Sequence, residues 1–347
     1  MKTLLYIGHA FHNKTKSSQF IQDLLATKYE ITKFDFNPYK DSSKNFKQLA
    51  GKKYDVVVLW QIMPKISKLK KYVNYDYISF FPMYDATPEM SNTVWLDYDE
   101  CNIINFSKTL HEKCKKHGFS SFYIQYFPKP QEITNQGDEK SVFFWQRRSN
   151  ISSEHVEKVI GIENINKLYW HNVPDPNEKI IPPRNEWGDK TIISNWFNTK
   201  KEANNYFQKA SLYFAPREFE GIGMSFLEAM AYGRCVIAPD NPTMNEYIVN
   251  GENGYLYNLK EPEKIQMDNV RQIQENAYNF IKEGYKKWEE DKIRILDWIE
   301  TDVESNSDKN LINSMTFVKR KILYKKIYTK KYKIFYIFGF IKIKLPR

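Results

Sequence analysis

The chain has 347 residues, a net charge of +10 and a mean hydropathy of −0.64. That length exceeds one ordinary domain and predicts two cores, while three cysteines, odd in number and far apart, exclude a disulfide framework and predict a reducing compartment. The six histidines show no metal-ligand spacing, and no uncharged apolar run reaches the length of a membrane span.

The opening MKTLLYIGHAF has one lysine and an apolar run cut at Gly8-His9, so no signal peptide is expected. Lys2 to Gly8 reads as a first strand and Ser17 to Thr27 as the helix after it. Tyr29 to Phe36 alternates like a second strand. Asp55 to Trp60 is a continuous apolar run of the kind buried in a parallel sheet. Asp76 to Phe81, Asn102 to Phe106 and Phe122 to Tyr126 repeat that signal, with a helix pattern in SKTLHEKCKKHG. Strands alternating with helices predict a Rossmann-like α/β domain over residues 1–130. Residues 128–140, PKPQEITNQGDEK, have the composition of a linker. Strands are then expected at Ser141 to Trp145, Asn166 to Trp170 and Thr191 to Ile193, and a short loop and helix over 195–210.

The densest signal runs from Ser211 to Asn258. A short buried strand, Leu212 to Ala215, leads into the loop PREFEGIG. MSFLEAMAYG then reads as a helix stopping at Gly233, and CVIA as another strand. In doubly wound sheets, ligands sit beyond the carboxyl ends of the strands. Here the loop opens a helix whose first N–H groups are free for an anion, and glycines permit close approach. Glu220 and Glu228 bracket that loop in an E-x7-E spacing, followed by AMAYG, a strand and NEYIVNGENGYLY. Over about 60 residues this resembles the nucleotide-sugar site of retaining GT-B glycosyltransferases, in particular glycosyltransferase family 4, the glycosyl transferases group 1.

The resemblance implies a GT-B fold: two Rossmann-like domains facing each other across a cleft, with the donor domain at 139–285. It implies a C-terminal crossing helix region at 286–318, where 268–300 has apolar residues at three- and four-residue spacing and SNSDKN breaks the pattern. It implies that Glu228 meets the ribose hydroxyls and that Glu220 faces the donor sugar. Amides of Gly221, Ile222, Gly223 and Met224, with Arg147 or Arg148, would stabilise the leaving diphosphate. Family members carry a lysine about five residues beyond that arginine. None sits there in this chain, and Lys158 is too distant. They also often carry a glycine pair in the first loop against the donor diphosphate; this chain has Gly8-His9, and Gly8 is the donor-binding residue that the resemblance implies there. His9 and His12 are either cleft contacts or solvated loop residues. Asp85, with Tyr84, occupies the place of a residue holding the transferred sugar or the acceptor, or is turn chemistry beside Pro82 and Pro88. Trp196 or Phe197 stacks on the base or belongs to the core. Glu220, Arg148 and Asp85 are the expected catalytic residues.

From Lys319 to Arg347 there are eleven Lys or Arg and no Asp or Glu, so residues 1–318 sum to about −1. Lysines interleaved with Tyr, Phe and Ile suit an interfacial segment on anionic lipid. Nucleic acid binding and a folded basic edge are the other readings, and the near-neutral body disfavours nucleic acid. The expectation is a cytoplasmic enzyme, peripheral on the inner membrane face. It would move a sugar from a nucleotide sugar to a glycan or lipid-linked acceptor, with no cofactor and no required metal. A sugar-nucleotide epimerase and an inactive GT-B-like binding protein at the membrane are the alternatives.

Overall fold

The structure is a computed structural model that describes residues 1–37, 46–321, 324–328, 332–337 and 341–346, with side chains, four excepted, as far as Met315. Two six-stranded parallel sheets carry the fold. The first holds β1 (Lys2–Gly8), β2 (Tyr29–Asp35), β3 (Lys52–Trp60), β4 (Val73–Phe81), β5 (Asn102–Asn105) and β6 (Ser121–Tyr123), in the order β2-β1-β3-β4-β5-β6. The second holds β7 (Asp138–Trp145), β8 (Lys167–His171), β9 (Thr191–Ser194), β10 (Ala210–Phe214), β11 (Cys235–Pro239) and β12 (Tyr255–Tyr257). Its order, β12-β11-β10-β7-β8-β9, reverses between β7 and β10, which opens a crevice at the carboxyl ends of those two strands.

Continuous apolar runs form these strands because both sheet faces are covered. In β1, Leu4 and Tyr6 join one buried cluster while Leu5 and Ile7 join another on the opposite face. In β7, Phe143 and Phe144 divide in the same way. The inner cluster runs through both domains without a break, from Leu4 and Val56 to Tyr213 and Val236.

Among the described residues the helices of seven residues or more are α1 (Gln19–Ala26), α2 (Lys108–Lys116), α3 (Ser153–Ile160), α4 (Lys200–Phe207), α5 (Met224–Ala231), α6 (Val270–Asp291), α7 (Ile293–Ile299) and α8 (Lys309–Lys321). Helix α6 joins the two domains. Near its start, Gln274 donates to the Gly233 and Gln136 carbonyls of the second domain at 2.9 and 3.0 Å. Near its end, Trp288 packs against Phe20 and Tyr126 of the first, at ring separations of 5.9 and 5.1 Å. The boundary expected at residue 285 therefore falls inside one unbroken helix, since its apolar stripe of Ala277, Ile281 and Trp288 continues across it. The break expected over SNSDKN is confined to Ser307 and Asp308, between a short helix Val303–Asn306 and α8. Ile312 and Met315 of α8 complete the outer cluster of the first domain.

A second brace lies beside the crossing helix. Glu246 accepts from Ser107 Oγ and from the amides of Lys108 and Thr109, at 2.8, 2.6 and 3.0 Å. A carboxylate from the second domain thus sits on the N-terminus of α2 in the first, where orphan N–H groups and the helix dipole favour it.

Residues 324–328, 332–337 and 341–346 form a three-stranded antiparallel sheet, β13 (Tyr324–Tyr328), β14 (Tyr332–Ile337) and β15 (Ile341–Pro346), in sequence order. Lys319 to Lys321 belong to α8 rather than to a separate tail. The surface that these strands present, and with it the expected lipid-facing segment, lies outside the described side chains. Among the described residues no helix is long and apolar enough to cross a membrane.

Candidate active site

Four loops meet at the crevice between β7 and β10. The β7 strand ends at Trp145, and its loop carries Arg147 and Arg148. The β8 strand ends at His171, and its loop carries Asp175, whose amide donates to the Arg147 carbonyl at 2.9 Å. The β10 strand ends at Phe214, and its loop runs through Arg217 and Glu220 into α5. From the first domain, the single turn Tyr84–Ala86 after β4 brings Asp85.

The charges converge tightly. Arg147 donates through Nε and Nη2 to Asp175 Oδ1, at 2.9 and 2.7 Å, while its guanidinium lies 4.7 Å from the centre of the Trp145 ring. Arg148 donates to Asp175 Oδ2 at 3.2 Å and is half exposed. Arg217 reaches Asp175 Oδ2 at 2.7 Å and, across the domain boundary, Asp85 Oδ2 at 3.0 Å. Burial works to raise the Asp175 carboxyl, but the charges of Arg147 and Arg217 and the arginine hydrogen bonds hold it below its usual range. For Asp85 burial wins over the three arginines, and its carboxyl is pushed up.

Glu220 is buried, with its amide donating to the Pro242 carbonyl at 3.2 Å. Burial pushes its carboxyl up to about 7; Arg217 and Arg147 oppose that, while Asp85 and Asp175 add to it. Groups poised between charged and neutral forms in a cleft mark functional sites. Glycine is required on either side of the turn into α5. A Cβ on Gly221 would lie 2.8 Å from Met83 Cβ and 2.9 Å from Asp85 Oδ1, so only glycine lets this loop meet the first domain. Gly223 caps α5 in the left-handed region, at φ 84°, where a side chain would also fall into the Phe226 ring. Ile222 is buried beside them and Met224 opens the helix. Glu228, one turn further on, is exposed, and its charge helps to raise the Tyr126 and Tyr232 hydroxyls, which burial raises most.

The structure thus brings Asp85, Arg147, Arg148, Glu220 and Gly221 into one cluster. Gly8 ends β1, where a Cβ would lie 3.1 Å from the Tyr6 ring. His9 accepts from the Phe11 amide, at 3.1 Å, and His12 shares a hydrogen bond with Ser17, at 2.8 Å. Phe197 stacks on His171 at 4.7 Å with an interplanar angle of 1°, whereas Trp196 is exposed. Lys158 is exposed in the last turn of α3. Two members of the cluster, Arg217 and Asp175, were not singled out in the sequence. Arg217 stands inside the PREFEGIG loop and so was open to notice, whereas Asp175 lies in NVPDPNE, which reads only as a turn. Among the described residues no group of three or more His, Cys, Asp or Glu is placed to hold a metal ion.

Residues 186–288 match the family description "Glycosyl transferases group 1". An uncharacterised glycosyltransferase of Methanocaldococcus jannaschii is 29% identical over 154 residues, which span 36% of this chain and 38% of that protein. A sucrose-phosphate synthase from Thermosynechococcus elongatus superposes with a TM-score of 0.58 at 12% identity, over 93% of this chain and 99% of its own. A lipopolysaccharide outer core galactosyltransferase, WaaB in its apo form, superposes at 0.51 and 15% identity, over 84% and 99%. At such identities the two structures speak to the fold, and they share it over nearly the whole chain. The chain thus has the two-domain GT-B fold, and its residues 186–288 match the group 1 glycosyltransferases.

Proposed function

We propose that the chain is a retaining glycosyltransferase that takes a sugar from a nucleotide-sugar donor. The observation that carries this reading is the convergence at the β7/β10 crevice. Arginines from two loops of the donor domain, a buried Glu220 and the glycine turn opening α5 all meet there. Such a place suits a diphosphate: guanidinium forks match phosphate oxygens, and helix N-terminal amides favour anions. Arg147 and Arg148 neutralise charge growing on the leaving group, which is commonly the largest catalytic contribution. That neutralisation comes from side chains and requires no metal. Glu228 accepts from the ribose hydroxyls, and Glu220 faces the donor sugar.

In the transfer, the bond from the anomeric carbon to the diphosphate oxygen breaks. A bond from that carbon to the acceptor hydroxyl oxygen forms on the same face. The acceptor's proton passes to the leaving phosphate, so no separate protein base is needed. The acceptor is a glycan or lipid-linked acceptor molecule, and the basic segment at 319–347 holds the enzyme to an anionic membrane face.

The test begins with binding. UDP, GDP, ADP and CMP at millimolar concentration are screened for a rise in melting temperature, since a ligand bound only by the folded state stabilises it by mass action. One nucleoside diphosphate is expected to raise it. Nucleotide sugars of that base are then incubated with acceptors, and products are read by mass spectrometry with the anomeric configuration assigned by NMR. No shift with any nucleotide removes the donor-site reading. An altered sugar nucleotide formed without acceptor identifies an epimerase, and binding without any product identifies a binding protein.

A further inference from the structure

The crevice gathers Arg217 with Arg147 and Arg148, and no lysine stands where the resembled family places one after its arginine. We propose that Arg217 is the second cation for the donor's diphosphate, taking over from the absent lysine, and that Asp85 is the counter-ion that the diphosphate displaces. The inference rests on the donor-site reading above and goes beyond it in naming the residue and the exchange.

Position is the first argument. Arg217 lies on the loop after β10 and Arg147 on the loop after β7, the two strands that flank the crevice. The two guanidiniums nonetheless meet on a single carboxylate, each 2.7 Å from an oxygen of Asp175. A ligand reaching the Arg147 fork therefore comes within reach of Arg217. Lysine at the family offset would have approached from the β7 loop alone, whereas Arg217 approaches from the other wall.

Burial is the second argument. The Arg217 side chain is only 13% exposed, which a guanidinium tolerates when it is paired. Its Nη1 and Nη2 are paired with the two aspartates, but Nε is buried and has no hydrogen-bond partner. A buried donor left unmade is costly and asks for an explanation. A phosphate oxygen in the crevice supplies one.

The third argument is charge. Arg147, Arg148 and Arg217 face Asp175 and Asp85, with Glu220 in the same field. Asp175 is shared by all three arginines and stays ionised as their common anchor. Asp85 holds Arg217 by one contact from the other domain. Burial works against the charge of both aspartates, but only at Asp85 does it prevail over the arginines. An entering diphosphate brings more negative charge and more acceptor oxygens than Asp85 offers, so it wins Arg217. Asp85 is then freed on the sugar side of the crevice, where the resemblance places a contact with the transferred sugar or the acceptor.

The experiment is isothermal titration of the full chain with the nucleoside diphosphate that the screen selects, and with its monophosphate and nucleoside. The variants are Arg217→Gln, Arg217→Lys and Asp85→Asn. Arg217→Gln is expected to weaken diphosphate binding about tenfold or more, the size of a lost charged hydrogen bond, and to leave the nucleoside unchanged. Arg217→Lys is expected to recover part of the loss. Asp85→Asn is expected to tighten diphosphate binding severalfold, a change of sign that a damaged fold cannot produce. If the wild type binds the diphosphate and Arg217→Gln binds it equally well, or loses nucleoside affinity in proportion, the assignment of Arg217 is wrong and the donor site stands. If Asp85→Asn weakens binding, the exchange is wrong. If the wild type binds no nucleotide, the donor-site reading fails and takes this assignment with it.

Discussion

Glu220 has a titration that reports on the site without any ligand. Burial holds its carboxyl at about 7, above the ordinary 4.5. A carboxyl that keeps its proton longer when folded favours the folded chain at acid pH. The contribution is complete below about 4.5 and is lost as pH rises through about 7, a difference on the order of 3 kcal/mol. Glu220→Gln stays neutral throughout. It is expected to melt with the wild type at pH 5 and above it at pH 8, while turnover falls by about a hundredfold or more. Glu228→Ala is expected to raise the Kd for the nucleotide about tenfold and to change kcat little, because a ribose contact is equal in the ground and transition states. Small and equal effects of the two changes on activity would remove both residues from the donor site. Melting curves of Glu220→Gln that track the wild type at every pH would show the carboxyl to be unperturbed.

At the scale of elements, the apolar runs were legible wherever a strand is buried on both faces. Val56 to Trp60 and Cys235 to Ala238 are such places. Ends were less legible. Strand β7 begins at Asp138, where a backbone bond to the Lys209 carbonyl at 2.9 Å extends the sheet under exposed polar side chains. Strand β6 stops at Tyr123, because Ile124, Tyr126 and Phe127 are apolar for another reason: they fill the inner core where the domains join. In the site, the E-x7-E loop announced itself by local pattern. Arg217 and Asp175 did not, since their meeting depends on strand order. Arg217 is 42 residues from Asp175 and 132 from Asp85. Helix α6 carries a prediction of its own. Gly→Ala inside an exposed helix ordinarily gains about 1 kcal/mol, yet a Cβ on Gly284 falls into the Phe127 ring. Gly284→Ala is therefore expected to lose about 1–3 kcal/mol in urea unfolding, and Phe127→Leu in the same chain to restore part of it. A stabilised single variant would show that the helix and the first domain are not in this contact.

The whole molecule is two unequal electrostatic bodies. Residues 1–318 are near neutral, and of the eleven cations that follow, Lys325, Lys326, Lys333, Lys342 and Lys344 stand on strands of a small antiparallel sheet. Basic residues close to an anionic surface contribute about 1 kcal/mol each, and that attraction weakens as salt shortens the Debye length. The full chain is expected to co-sediment with anionic vesicles at low salt, less at high salt, and not with neutral ones. Because α8 runs through Lys321, charge reversal tests this better than truncation. Lys325, Lys326, Lys342 and Lys344 changed together to Glu should leave the protein in the supernatant. Sedimentation that survives the reversal would remove the membrane reading.

The crossing of α6 has a further consequence, for the order in which the molecule is built on the ribosome. The first domain lacks part of its core until α7 and α8 have emerged, because Ile295, Ile299, Ile312 and Met315 fill it. The outer core of the second domain takes its last buried residue, Ile273, from the start of α6. The half that is synthesised first is therefore the half that is finished last. Until then its unfilled outer face, around Trp95 and Phe119, is open to chaperones.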